Sequence, residues 1–240
     1  MAASLNRKAF CDYHEGMFAS ESSSKLNANI PQDRVAREAV AFHESGHAVL
    51  QYALGLGCSG ITLIVTKVRR DWKELTYCSG MSASDEAVDQ RLRAEIEHGR
   101  FNDGVIAHGV ATAAGPAAER KYYLLNGLPF RMLGATRSDR NSIDSADVKL
   151  ASAGRRRFAY RRLVWRRAQL ALENDAIWNA VEELAAALNN YWPAGKRLGE
   201  ETGTMQGAVA QAIMRRAGVF PGFLRAFPLS IASEQYCSPR

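Results

Sequence analysis

The chain has 240 residues, 47% of them hydrophobic, enough to bury a sizeable core in one principal globular domain. Its formal net charge of +6 is only modestly basic and permits nucleic-acid contact without requiring it. The longest apolar runs, residues 61–65 and 109–118, are too short or too broken by Gly and Pro to span a bilayer, so no membrane association is expected.

Residues 1–31 read as a polar N-terminal tail. Ser20, Ser22, Ser23, Ser24, Asn27 and Asn29 crowd the stretch before Pro31, and such polarity cannot support a packed element, so disorder is expected. Residues 1–18 carry Arg7, Lys8, Asp12 and Glu15 and lack the apolar centre of a secretory signal. The four cysteines, Cys11, Cys58, Cys78 and Cys237, form no C-x-x-C pair, which fits a reduced cytoplasm better than a disulfide scaffold.

Val35, Ala39, Phe42, Gly46, Val49, Leu50 and Ala53 recur at three- and four-residue intervals. They predict an amphipathic helix with Asp33 as its N-cap, ended by Gly55 and Gly57. That helix carries His43-Glu44-Ser45-Gly46-His47. Two imidazoles one turn apart share a face and can bind one zinc ion, while Glu44 can reach the open position of the metal and take a proton from water there. This H-E-x-x-H pattern is the chemistry of a zinc peptidase. His14-Glu15 has no second histidine four residues on and is a decoy.

Residues 61–68 are rich in β-branched side chains, and residues 75–78 can pair with them across a polar turn, giving a small hairpin or sheet. An edge strand beside the zinc helix would hold an extended peptide by backbone hydrogen bonds; an ordinary packing hairpin is the alternative. A charged helix is expected from Ser82–Asp85 to about Gly99, and a more apolar one over 103–125. On the second, Glu119 is either a core-facing carboxylate near the metal or a solvated residue, and His108 reads as a structural histidine. Residues 127–140 read as a loop. A catalytic zinc normally has three protein ligands, so the two histidines need a third, and the segment 138–151 offers Asp139, Asp144 and Asp147.

Taken together, Phe42-His-Glu-Ser-Gly-His-Ala-Val49, the strand 61–68, Ala114-Gly-Pro-Ala-Ala-Glu119 and Ala146-Asp147-Val-Lys-Leu-Ala-Ser152 resemble the zinc-peptidase domain of the FtsH family of ATP-dependent metalloproteases. The resemblance covers residues 34 to about 216. It implies a mainly helical α+β fold, a Zn2+ cofactor held by His43, His47 and Asp147, with Asp139 and Asp144 as competitors, and catalysis by Glu44. It gives Glu119 a supporting role. The domain is expected over 32–217, followed by a C-terminal tail over 218–240.

Unlike that family, the chain contains no G-x-x-x-x-G-K-[ST] phosphate loop, so no ATP binding is expected in it and a separate ATPase would have to deliver folded substrates; the candidate assembly partners are such an ATPase or further copies of the chain in a homo-oligomer. The expected partner is an unfolded or short polypeptide. A second class of function is a non-catalytic FtsH-like regulatory or binding protein. Arg155, Arg156, Arg157, Arg161, Arg162, Arg166 and Arg167 fall in one predicted helical segment, interleaved with Phe158, Tyr160, Leu163, Val164 and Trp165. Such a surface can contact nucleic acid or a protein partner; the alternative is a solvated face opposite a packed aromatic stripe.

Overall fold

A computed structural model describes residues 32–70, 73–129, 134–194 and 197–226. The expected N-terminal tail and the end of the C-terminal tail lie outside the described residues. In chain order the elements are α1 (Gln32–Ala53), β1 (Gly60–Arg70), β2 (Lys73–Ala83), α2 (Glu86–Glu97), α3 (Asp103–Leu125), α4 (Gly134–Ser152), α5 (Ala159–Leu172), α6 (Asp175–Leu188), β3 (Gly199–Gln206), α7 (Gly207–Arg216) and the short α8 (Phe223–Ala226). The fold is α+β and mainly helical, with one three-stranded antiparallel sheet in the order β2-β1-β3.

The amphipathic helix expected around the histidines is in fact the central one. From Ala39 to Leu50 every residue of α1 is buried except the half-buried Phe42. α3 and α6 pack along it and the sheet covers another side, so its polar residues face a protein interior and not water. Gly55 and Gly57, at φ 77° and 82°, take left-handed conformations that end the helix, as expected. Asp33 lies within the first turn, since the helix already starts at Gln32.

Close approach of α1 and α3 depends on small residues. A Cβ on Gly46 would lie 2.6 Å from the carbonyl oxygen of Ala114 and 2.7 Å from Cβ of Ala118. One turn earlier on α1, Phe42 stacks between Tyr122 of α3 and Trp178 of α6, with ring centroids 4.6 and 5.7 Å apart.

In the sheet, β1 takes the centre and buries Ile61, Leu63 and Val65 against the helices. β2 forms the expected hairpin over a longer span than residues 75–78. β3 is an addition: it pairs with β1, with Met205 opposite Ile61, and ends at Gln206, directly before α7. Only Met205 of the strand Gly-Glu-Glu-Thr-Gly-Thr-Met-Gln is buried, so the segment carries almost no hydrophobic alternation.

Two further expectations change. Residues 134–140, read as loop, form the first turns of α4. The arginine segment is not one helix, because α4 ends at Ser152 and α5 starts at Ala159, leaving Arg155, Arg156 and Arg157 in the connection. Beyond residue 217 the chain still contributes to the core through Val219, Phe223 and Leu224.

Replacing Gly46 with Ala forces α1 away from α3, and urea denaturation should show a loss of about 1–3 kcal/mol. An unchanged midpoint would mean the two helices are not in contact at this point.

Candidate metal centre

His43 and His47, one turn apart on α1, bring their Nε2 atoms to 3.1 Å from each other. Asp139, from the second turn of α4, places one carboxylate oxygen 3.0 Å from Nε2 of His43 and 3.3 Å from Nε2 of His47. These three side chains form a group that could hold a metal ion.

The other ring nitrogens fix where the protons of the group sit. Nδ1 of His47 lies 2.8 Å from the backbone carbonyl of Ala111, which can only accept, so this nitrogen carries the proton. Nδ1 of His43 lies 3.1 Å from a carboxylate oxygen of Glu119 and donates to it. With both protons on Nδ1, both Nε2 lone pairs point at the Asp139 oxygen. Three electron-rich atoms at such distances repel one another unless a proton or a metal ion sits among them. Partners that fix the tautomer of a histidine in this way are the usual outer support of a metal site.

That support is buried and locally specified. Glu119 is fully buried on α3 and also accepts a hydrogen bond from the hydroxyl of Thr136, in the first turn of α4. One carboxylate therefore joins α1, α3 and α4, and Asp139 follows Thr136 by three residues on α4. Gly115 leaves room for the His47 ring, since a Cβ there would lie within 2.6 Å of both its Cδ2 and Cε1. The small residues preceding Glu119 thus admit an imidazole as well as a backbone.

Glu44 is buried next to His43 and faces β2. A Cβ on Gly80 would lie 2.5 Å from its Cγ, and the N–H of Ser82 hydrogen-bonds to its carboxylate. Its second oxygen, Oε2, is buried without a hydrogen-bond partner among the described residues. Burial pushes the Glu44 pKa up, partly offset by the nearby charges of His43 and His47. For His43, burial acts to lower the pKa, but the hydrogen bonds to Asp139 and Glu119 outweigh it and raise the value to about 10. Burial acts to raise the pKa of Asp139, and its hydrogen bonds to the two imidazoles reverse this and hold it well below the usual carboxylate range.

Of the candidate residues, His43, His47 and Asp139 come together, with Glu44 and Glu119 beside them. Asp147, the ligand the resemblance implied, does not join them. It is buried farther along α4, where its two oxygens accept the backbone N–H groups of Phe158 at 2.7 Å and Arg161 at 3.1 Å. Its carboxylate serves as the N-terminal cap of α5. Phe158 itself has φ 65°, a left-handed conformation that costs an ordinary L-residue about 1–2 kcal/mol. Asp144 is exposed and pairs with Arg161 at 3.1 Å. His108 sits on α3 near Asp89, 3.5 Å away and apart from the metal group. Thr136 was not singled out in the sequence; an isolated threonine inside a presumed loop carries no signal of its own.

The chain matches no family model and no curated protein sequence. Among the described residues, no helix is long and apolar enough to cross a membrane.

Asp139→Asn should lower bound metal well below one equivalent by elemental analysis. Asp147→Asn should keep the metal and lose about 1–2 kcal/mol of stability with its cap; metal loss in the second variant alone would return the ligand role to Asp147. In the metal-free protein, the folded pKa of His43 lies above its ordinary 6.5. The resulting stability is complete below pH 6.5 and is lost as pH rises through about 10, so denaturation midpoints should fall over that window and fall less in Asp139→Asn.

Proposed function

We propose that the chain is a zinc-dependent metalloendopeptidase acting on unfolded or short polypeptides. The observation that carries this reading is the unpartnered, buried Oε2 of Glu44 beside a group of two imidazoles and one carboxylate. Two histidines, one aspartate and an open fourth position make a catalytic zinc set, as distinct from a closed structural one. The spacing supports the same ion: tetrahedral bonds of about 2.0–2.1 Å put zinc ligands roughly 3.3 Å apart, and the three ligand atoms stand at 3.0–3.3 Å.

When bound, such an ion supplies Lewis acidity, making water nucleophilic near neutral pH and polarising a carbonyl. The remaining work belongs to the protein. Glu44 accepts the proton of the attacking water at Oε2 and returns it to the departing amine nitrogen, and the raised pKa of this buried carboxyl suits it to both transfers. The Ser82 N–H holds the same carboxylate and limits its rotation. Glu119, Thr136 and the Ala111 carbonyl fix the imidazole rings.

β2 supports a peptide substrate. Among the described residues it pairs with β1 on one side only, and it passes Glu44 at Gly80. An extended chain added along its outer margin would run past the catalytic carboxylate, bound by backbone hydrogen bonds that tolerate many sequences. The chain contains no phosphate loop of the G-x-x-x-x-G-K-[ST] type, so folded substrates would need unfolding by a separate ATPase.

Glu44→Gln should retain the metal and lose about 10²–10⁴-fold in hydrolysis of unfolded casein by the zinc-loaded protein. Equal activity in the two forms, or no activity from the metal-loaded wild type across a range of peptides, removes the peptidase reading.

A further inference from the structure

The connection between α4 and α5 carries a feature that the metal centre does not use. From Gly154 to Ala168 the chain has seven arginines and no acidic residue. Arg155, Arg156, Arg157, Arg161, Arg162 and Arg166 are all exposed, and among the described residues only Arg161 of these six pairs with a carboxylate, that of Asp144. In their midst stands Phe158, an exposed aromatic and the one non-glycine residue among those described with a positive φ.

Glycine would adopt that backbone conformation without strain and offer the same N–H to Asp147. What phenylalanine adds is a ring on the outside. The guanidinium groups of Arg157 and Arg161 lie against it, 5.0 and 5.5 Å from its centroid. Strain retained at an exposed aromatic points to a role for the ring beyond folding.

We propose that this surface binds single-stranded nucleic acid, with an unpaired base stacking on the column formed by Phe158 and its flanking guanidiniums, and with Arg155, Arg156, Arg162 and Arg166 meeting the phosphates. Aromatic and guanidinium planes are the sequence-tolerant stacking platforms of single-strand binders, and clustered cations follow the backbone. A membrane surface fits less well. A helix lying in a lipid interface must offer a free apolar face, and the apolar face of α5, made by Tyr160, Val164, Ala168 and Leu172, is buried in the core. The surface is independent of the metal and of peptide hydrolysis.

The test is fluorescence anisotropy of the full chain with a labelled oligo(dT). Binding is expected at low salt and should weaken at least about tenfold between 50 and 200 mM salt. Phe158→Gly should weaken it about fivefold or more while leaving the melting temperature unchanged or raised, because the strain is relieved. A combined change of Arg156, Arg162 and Arg166 to Gln should weaken binding and flatten the salt dependence, with metal content unchanged. Any of three results overturns the proposal: no binding at low salt, wild-type affinity in Phe158→Gly, or tighter binding to a duplex of equal length or to phosphatidylserine vesicles than to the single strand.

Discussion

Three lone pairs aimed at one point govern the centre of this molecule. The Nε2 atoms of His43 and His47 and a carboxylate oxygen of Asp139 lie 3.0–3.3 Å apart, and the far nitrogen of each ring is committed as a donor. With neither a proton nor a metal ion among them these atoms repel, so the surrounding protein must hold them in register. That explains the buried polar framework around it. Glu119 ties His43 to Thr136, Ala111 orients His47, and all of these lie on helices packed to within van der Waals contact.

The framework is possible only because bulk is absent at chosen points. Gly46 lets α1 meet α3, Gly115 makes space for the His47 ring, and Gly80 lets β2 lie against Glu44. Each omits a side chain where an imidazole, a carboxylate or a carbonyl must come close, so the geometry of the H-E-x-x-H motif depends on small residues on two other elements. Burial then has two consequences. It raises the pKa of Glu44, and it leaves one of its oxygens buried without a hydrogen-bond partner among the described residues.

Much of this was legible in the sequence. Three- and four-residue spacing located α1 and placed both histidines on one face, and the 103–125 helix appears with the expected bounds. Asp139 was harder to assign. Its surroundings, with Gly127, Pro129 and Gly134 among polar residues, read as a loop, whereas Ala146-Asp147-Val-Lys-Leu-Ala resembles the aspartate segment of the FtsH family, and that resemblance drew the ligand role to Asp147. Both aspartates lie on α4, eight residues apart. At about 100° per residue that separation turns one roughly 80° from the other around the axis, so only one can face the histidines. Which one does is set by the docking of α4 on Glu119 through Thr136, a tertiary fact with no local signature. β3 escaped detection for a related reason: its strand state comes from pairing with β1 and not from its own weakly patterned residues.

The pairing of Ile61 with Met205 joins positions more than half the chain apart, while the metal group draws on residues no later than Asp139. During synthesis from the N-terminus, the hairpin of β1 and β2 and the three helices that build the metal group, α1, α3 and α4, can therefore meet well before β3 leaves the ribosome. Until then β1 has one margin bare, and a strand from another molecule could occupy it. An ion bound early would tie α4 to α1, so that the helix on which the hairpin packs is held in place while the last partner of β1 is still being made.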